Sequence, residues 1–156
     1  MTTPRCGITM NGRITMELKS RPGGRTAEQQ LRAGLELMDG EDDFAFLLWH
    51  LPEGVPRDSF DLELGPDNYI QCAGGLDGRF TCEIRRVTSD GTIRHEVLGR
   101  ASGPDSEPWV RIKWSENETS VRQSEVFDRD EVIRLFETYR SNGSIPDGYV
   151  TRRIEV

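Results

Sequence analysis

Apolar and polar residues alternate with a period of two over most of this chain, and helical spacing interrupts the alternation twice. "CGITM-NG-RITMELK" sets two alternating runs about Asn11-Gly12, the pair that a tight type I′ turn demands, and so predicts an opening hairpin. After "RPGG", Thr26 and Gln29 have the spacing of a capping box, and Leu31, Leu35 and Met38 recur at helical intervals. These signals predict a helix over 26–38, stopped by Asp39-Gly40. The apolar run Phe44–Leu51 is short and aromatic-rich, which predicts a central strand covered on both faces. Phe60, Leu62 and Leu64 then alternate with Ser59, Asp61 and Glu63, a half-exposed strand with acids on its outer side.

The stretch "NYIQCAGGLDGRFTCEIRRV" predicts two strands about a Gly-rich turn near Asp77. In that register Ile70 faces Ile84, Cys72 faces Cys82 and Phe80 lies on the same side, while Gln71, Thr81, Glu83 and Arg85 share the other. Asp90-Gly91 turns the chain again, so that Ile93, His95 and Val97 share a face in 92–98. In "WVRIKW", 109–114, Val110, Ile112 and Trp114 point one way and Trp109, Arg111 and Lys113 the other; 119–127 adds a further strand. Asp128 with Glu131 resembles a capping box opening a second helix, with Val132, Leu135, Phe136 and Tyr139 on one face. Asn142-Gly143 ends it, and 148–156 forms a last strand. The order lacks βαβ alternation. It predicts one α+β domain over 1–156, a twisted, mostly antiparallel sheet with two helices packed on it.

Charge changes this picture in one place. The formal net charge is −7, yet from Glu36 to Asp67 ten carboxylates stand against Arg57 alone, a local balance of −9, and the other 124 residues balance at +2. Such a segment argues against nucleic-acid and anionic-membrane binding and fits a basic protein partner. The carboxylates expected to face that partner are Asp39, Glu41, Asp42, Asp43, Asp58, Asp61, Glu63 and Asp67, with Glu53 beside them and Trp49 or Trp109 as an aromatic anchor.

Catalytic chemistry is harder to place. Counted from Asp39, position 6 of an EF-hand loop is Phe44 and position 12 is His50, where calcium needs a Gly and a Glu. GxSxG, GxxxxGK[ST], GxGxxG and HExxH are all missing. Three cysteines, Cys6, Cys72 and Cys82, form no CxxC and are expected as reduced, packed thiols. His95 is expected as a hydrogen-bonded core histidine, and the Trp109-Arg111-Lys113 row as a solvated face. No run approaches the ~20 apolar residues of a membrane span, and the start, "MTTPRCGITMNGR", has no signal-peptide pattern. The expected address is the cytoplasm, where the sequons at Asn117 and Asn142 carry no meaning.

The helix "TAEQQLRAGLELM" leading into an apolar strand, the hairpin-rich sheet after it, and the closing "SEVFDRDEVIRLFETYRSNGSIPDGYVTRRIEV" together resemble the type-one immunity family of bacterial polymorphic toxin systems. The resemblance implies an inhibitor that plugs a toxin's active site, often a nuclease or deaminase with a basic groove, its carboxylates standing in for phosphates. The expectation is therefore a non-catalytic, cytoplasmic immunity protein with no cofactor, metal ligand or catalytic residue. The alternatives are a small carboxylate-using enzyme or ligand-binding domain, and a structural or phage-assembly subunit.

Overall fold

A computed structural model describes residues 5–11, 14–20, 22–51, 67–101 and 107–154. Seven strands form one antiparallel sheet, in the order β2 (Ile14–Leu18), β1 (Cys6–Met10), β3 (Ala45–His50), β4 (Tyr69–Gly74), β5 (Phe80–Val87), β6 (Ile93–Arg100) and β9 (Tyr149–Arg153). β7 (Trp109–Trp114) and β8 (Asn117–Arg122) make a separate hairpin. The helices are α1 (Ala27–Glu36) and α2 (Arg129–Asn142). This is the expected α+β architecture. The expected strand at Phe60–Leu64 lies outside the described residues.

Period-two alternation divides the sheet cleanly. Ile8, Phe46, Leu48, Ile70, Cys72, Cys82, Ile84 and Leu98 face one way, into a core closed by Leu31 and Leu35 of α1 and Leu135 and Phe136 of α2. Gly34 lets the Phe46 ring lie against α1, since a Cβ there would stand 2.5 Å from the ring. On the opposite face Ile112 and Val121 of the β7–β8 hairpin pack on Val97. Trp49 also points to this face and is buried over Gly7, so it offers no aromatic anchor to a partner.

Cross-strand register follows the pattern in the sequence. Ile70 pairs with Ile84 and Cys72 with Cys82. Burial pushes both thiols upward, and Cys72 Sγ lies 3.5 Å from Met38 Sδ. At α1 the capping box is complete: Thr26 Oγ1 accepts from Gln29 N at 3.1 Å, and Gln29 Oε1 accepts from Thr26 N at 2.9 Å.

At α2 the box is half made. Asp128 Oδ1 accepts from Glu131 N at 2.8 Å, but the Glu131 side chain does not turn back to the cap. It is buried instead, where it accepts from Nε and Nη2 of Arg100 and from the Tyr149 hydroxyl at 2.7 Å. A buried carboxylate needs partners of this kind, and a cationic fork from β6 outcompetes a local cap. Glu125 explains a second difference, the end of β8 at Arg122 rather than near 127. Residues 123–125 form a 3₁₀ turn in which Glu125 accepts from Arg122 N at 2.7 Å and takes a two-pronged contact from Arg152, both at 2.8 Å. Beyond the turn, Phe127 pairs with Phe80, carrying the chain around the sheet's end to α2.

The chain has three tyrosines, and all titrate high. Burial is the main cause; it takes Tyr139 and Tyr149 to about 12, with the Glu131 bond adding to Tyr149. Between the ordinary value near 10 and 12 the folded chain holds phenol protons that the unfolded chain has released. Stability supplied by these groups is thus complete below pH 10 and lost as pH climbs through 12. Absorbance at 295 nm should show all three phenols lagging in the native chain, Tyr139 and Tyr149 furthest, the lag vanishing in urea; a native titration centred near 10 for all three contradicts this burial.

Candidate functional site: an acidic end built by three turns

The loop between α1 and β3 is organised around one carboxylate. Asp39 Oδ1 accepts from the backbone N–H groups of Glu41, Asp42 and Asp43 at 2.8, 2.9 and 3.1 Å. Asp43 O accepts from Asp39 N and Gly40 N at 3.0 and 3.1 Å, closing the turn. These backbone bonds, those from Glu41 and Asp43 foremost, hold the Asp39 carboxyl below its ordinary range. Its fixed oxygen serves the loop's own amides and is poorly placed to ligate an ion. Among the described residues no group of three or more His, Cys, Asp or Glu could hold a metal.

Asn11, at φ 55° past the end of β1, secures the loop from the side. Its Nδ2 donates to Asp42 O at 2.6 Å, and its Oδ1 accepts from Phe44 N and Ala45 N at 2.9 and 3.2 Å. Two further turns close on the same place. Ser115 N, in the β7–β8 turn, donates to Gly40 O at 2.7 Å. Gly40 abuts the β4–β5 turn, where a Cβ would come within 2.7 Å of Leu76 N. Gly75, at φ 116°, leaves no more room against the Met38 backbone.

The result is a cluster drawn from three distant parts of the chain. Asp39, Glu41 and Asp42 are exposed and Asp43 half-buried; Asp77 and Glu116 stand exposed on the neighbouring turns. Arg79 is the exposed cation of the same turns, whereas Arg129 is engaged: its Nη2 donates to Met38 O at 2.8 Å and its guanidinium lies 5.4 Å from the Phe80 ring centroid. Asp77 and Glu116 were not singled out by sequence reasoning. Their signal was the close approach that Gly40 and Gly75 permit, which spacing alone does not reveal.

The other expected site residues lie elsewhere. Ala45 pairs with Ala73 and Leu48 with Ile70, so Asp67, just ahead of β4, belongs to the opposite end of the β3–β4 pair from Asp43. There its carbonyl accepts from Arg85 Nη1 at 2.8 Å. Trp109 is 59% exposed, with the guanidinium carbons of Arg122 and Arg152 at 5.5 and 5.4 Å from its ring centroid. It is six residues from Ser115, the turn residue that touches Gly40, about 20 Å along the strand. Asp58, Asp61 and Glu63, with Glu53, lie outside the described residues.

Both histidines are held by hydrogen bonds, although His50 stands opposite the buried Cys6 in the β1–β3 register. His50 Nε2 contacts Tyr139 O and Arg140 O, at 2.8 and 3.2 Å, at the end of α2. His95 shares a face with Ile93 and Val97 as expected, but its surroundings are polar: Nε2 bonds Glu83 Oε2 at 2.9 Å, Gln71 donates to the same oxygen, and Tyr69 packs edge-on. Cys6 is buried, its thiol pushed up to about 12 by desolvation. A cavity of about 520 Å³ beside it is lined by Arg5, Glu17, Lys19 and Arg140, but Arg5 is paired with Glu17 and Arg140 with Glu137.

Comparison with known proteins gives no family model, no curated protein and no solved structure that matches this chain significantly. No helix among the described residues is long and apolar enough to cross a membrane.

Two substitutions probe the construction of this end. Asp39→Ala should speed amide exchange at Glu41, Asp42 and Asp43 several-fold, while Asp42→Ala leaves it nearly unchanged. With Asp39 depressed, its contribution to loop order is present above the ordinary carboxylate value and lost as pH falls through the lower folded one. Gly75→Ala should cost about 1–3 kcal/mol in urea unfolding, because it combines a positive φ with a clash.

Proposed function

We propose that the chain is a non-catalytic binding protein that captures a partner with a basic surface, acting in the bacterial cytoplasm as the immunity protein of a toxin. The observation that carries this reading is the meeting of Asp39, Glu41, Asp42, Asp43, Asp77 and Glu116 at one end of the sheet, on a loop fixed by the Asp39 carboxylate. A rigid set of like charges has already met its cost of ordering, so more of its attraction is available for association. It also raises the local concentration of a cationic partner and speeds encounter. The engaged state of both histidines and the buried thiols support recognition over nucleophilic chemistry at the described residues.

The test is co-expression with the products of flanking genes, followed by affinity purification at low and high salt. A complex should form at low salt and weaken as salt rises. Glu41→Lys with Asp42→Lys should weaken it roughly tenfold or more, as expected of charges that steer and fix a partner, and Asp77→Lys should add to the loss. Asp67→Lys, at the far end, should leave it within twofold. A complex indifferent to all three acidic-end reversals refutes this assignment of the surface.

A further inference from the structure

An apolar groove of about 260 Å³ opens beside the acidic loop, between the β1–β2 hairpin and α1. Met10, Met16, Ala33, Leu37 and Phe46 supply its apolar lining, and Asp43, Gln30 and the exposed Arg25 line it as well. It is smaller than the roughly 300–1,000 Å³ of sites that enclose a drug-sized ligand, so it suits one or two side chains rather than a cofactor. Its lip is unusually apolar for a surface. Leu37 is 65% exposed and Met16 41% exposed. Methionine side chains adapt to differently shaped guests, which favours a receiving surface over a packed one.

Asp43 belongs both to the groove and to the acidic loop, so the two surfaces are continuous. Apolar centre and charged margin are the anatomy of a protein interface, where the centre supplies most of the energy and the margin orients the partner. We infer that this groove receives an apolar side chain from a basic amphipathic segment of the partner, whose cations meet Asp39, Glu41, Asp42 and Asp43. The inference rests on the reading of the acidic end as a binding surface, and it moves the anchor of binding from Trp109 to the groove. Charge complementarity selects the occupant: Asp39, Glu41, Asp42 and Asp43 outweigh the Arg25 cation in the groove's lining, so a basic segment is favoured over an acidic one. The division of labour is specific. The carboxylates govern association and its salt dependence, and the groove governs how long the complex lasts.

Three labelled synthetic helical peptides of equal length test this on the full chain by fluorescence anisotropy: lysine with leucine on one face, lysine with serine in place of leucine, and glutamate with leucine. The lysine–leucine peptide should bind at least tenfold more tightly than lysine–serine, and glutamate–leucine should not bind measurably. Leu37→Ser, an exposed change, should bring the lysine–leucine affinity down to the lysine–serine level with the same salt dependence. Ala33→Phe, which fills the groove from α1, should do likewise, provided circular dichroism shows both variants folded. Glu41→Lys with Asp42→Lys should weaken both lysine peptides and flatten their salt dependence. Equal binding of the two lysine peptides, with Leu37→Ser silent, overturns the groove and leaves the acidic end standing. Absence of binding by both lysine peptides at low salt overturns the reading beneath it. Glutamate–leucine binding as tight as lysine–leucine shows the stated partner chemistry to be wrong.

Discussion

The guanidinium of Arg129 ties together the elements on which the acidic end depends. It donates to Met38 O, fixing the exit of α1, and lies over Phe80 at the start of β5. Phe80 in turn pairs with Phe127, two residues before Arg129 on the same chain. One side chain thereby joins the end of α1, the start of β5 and the first turn of α2. Asp39 follows Met38 directly, so the position of its carboxylate and of the amides gathered around it is inherited from this junction. Gly40 and Gly75 complete the constraint by allowing backbones to approach where any side chain would intrude.

The rest of the molecule handles charge in the opposite manner. Glu131 with Arg100, Glu125 with Arg152 and Glu96 with Arg86 are carboxylates of low exposure, each matched to a guanidinium and to at least one further donor. Pairs of this type fix geometry more than they add stability, because desolvation offsets much of their attraction. Around the acidic loop the Asp39 carboxylate satisfies backbone amides, and Glu41, Asp42, Asp77 and Glu116 are exposed. That contrast gives the acidic end its meaning as a surface. Among the described residues, three buried carboxylates are matched by arginine, while Asp39, Glu41, Asp42, Asp77 and Glu116 stand exposed at one end.

The sequence was most legible where structure is local. Thr26 and Gln29 announced the start of α1 because a capping box closes within four residues, and the β4–β5 register could be read from Cys72 and Cys82 because period-two alternation admits few solutions. It was least legible where partners come from far along the chain. Glu131 has the spacing of a capping residue, but Arg100 and Tyr149 compete for it and win. Glu125 ends β8 early through Arg152, 27 residues away. His95 looked apolar from its strand neighbours, yet Glu83 and Gln71 on adjacent strands make its surroundings polar. Of the site, the loop acids were visible as a run. Their alliance with Asp77 and Glu116, and their separation from Asp67, follow from antiparallel pairing and from two glycines.

The central claim is that one end of the sheet is a preformed receptor for cations, and it can be tested before any partner is known. Titration of the ¹⁵N-labelled chain with hexalysine at low salt reads the answer residue by residue. The account predicts that the largest amide shifts fall on Glu41, Asp42, Asp43, Asp77 and Glu116, fade as salt is added, and leave Asp67 unmoved. Shifts spread evenly over the acidic residues, or centred at the Asp67 end, would contradict it.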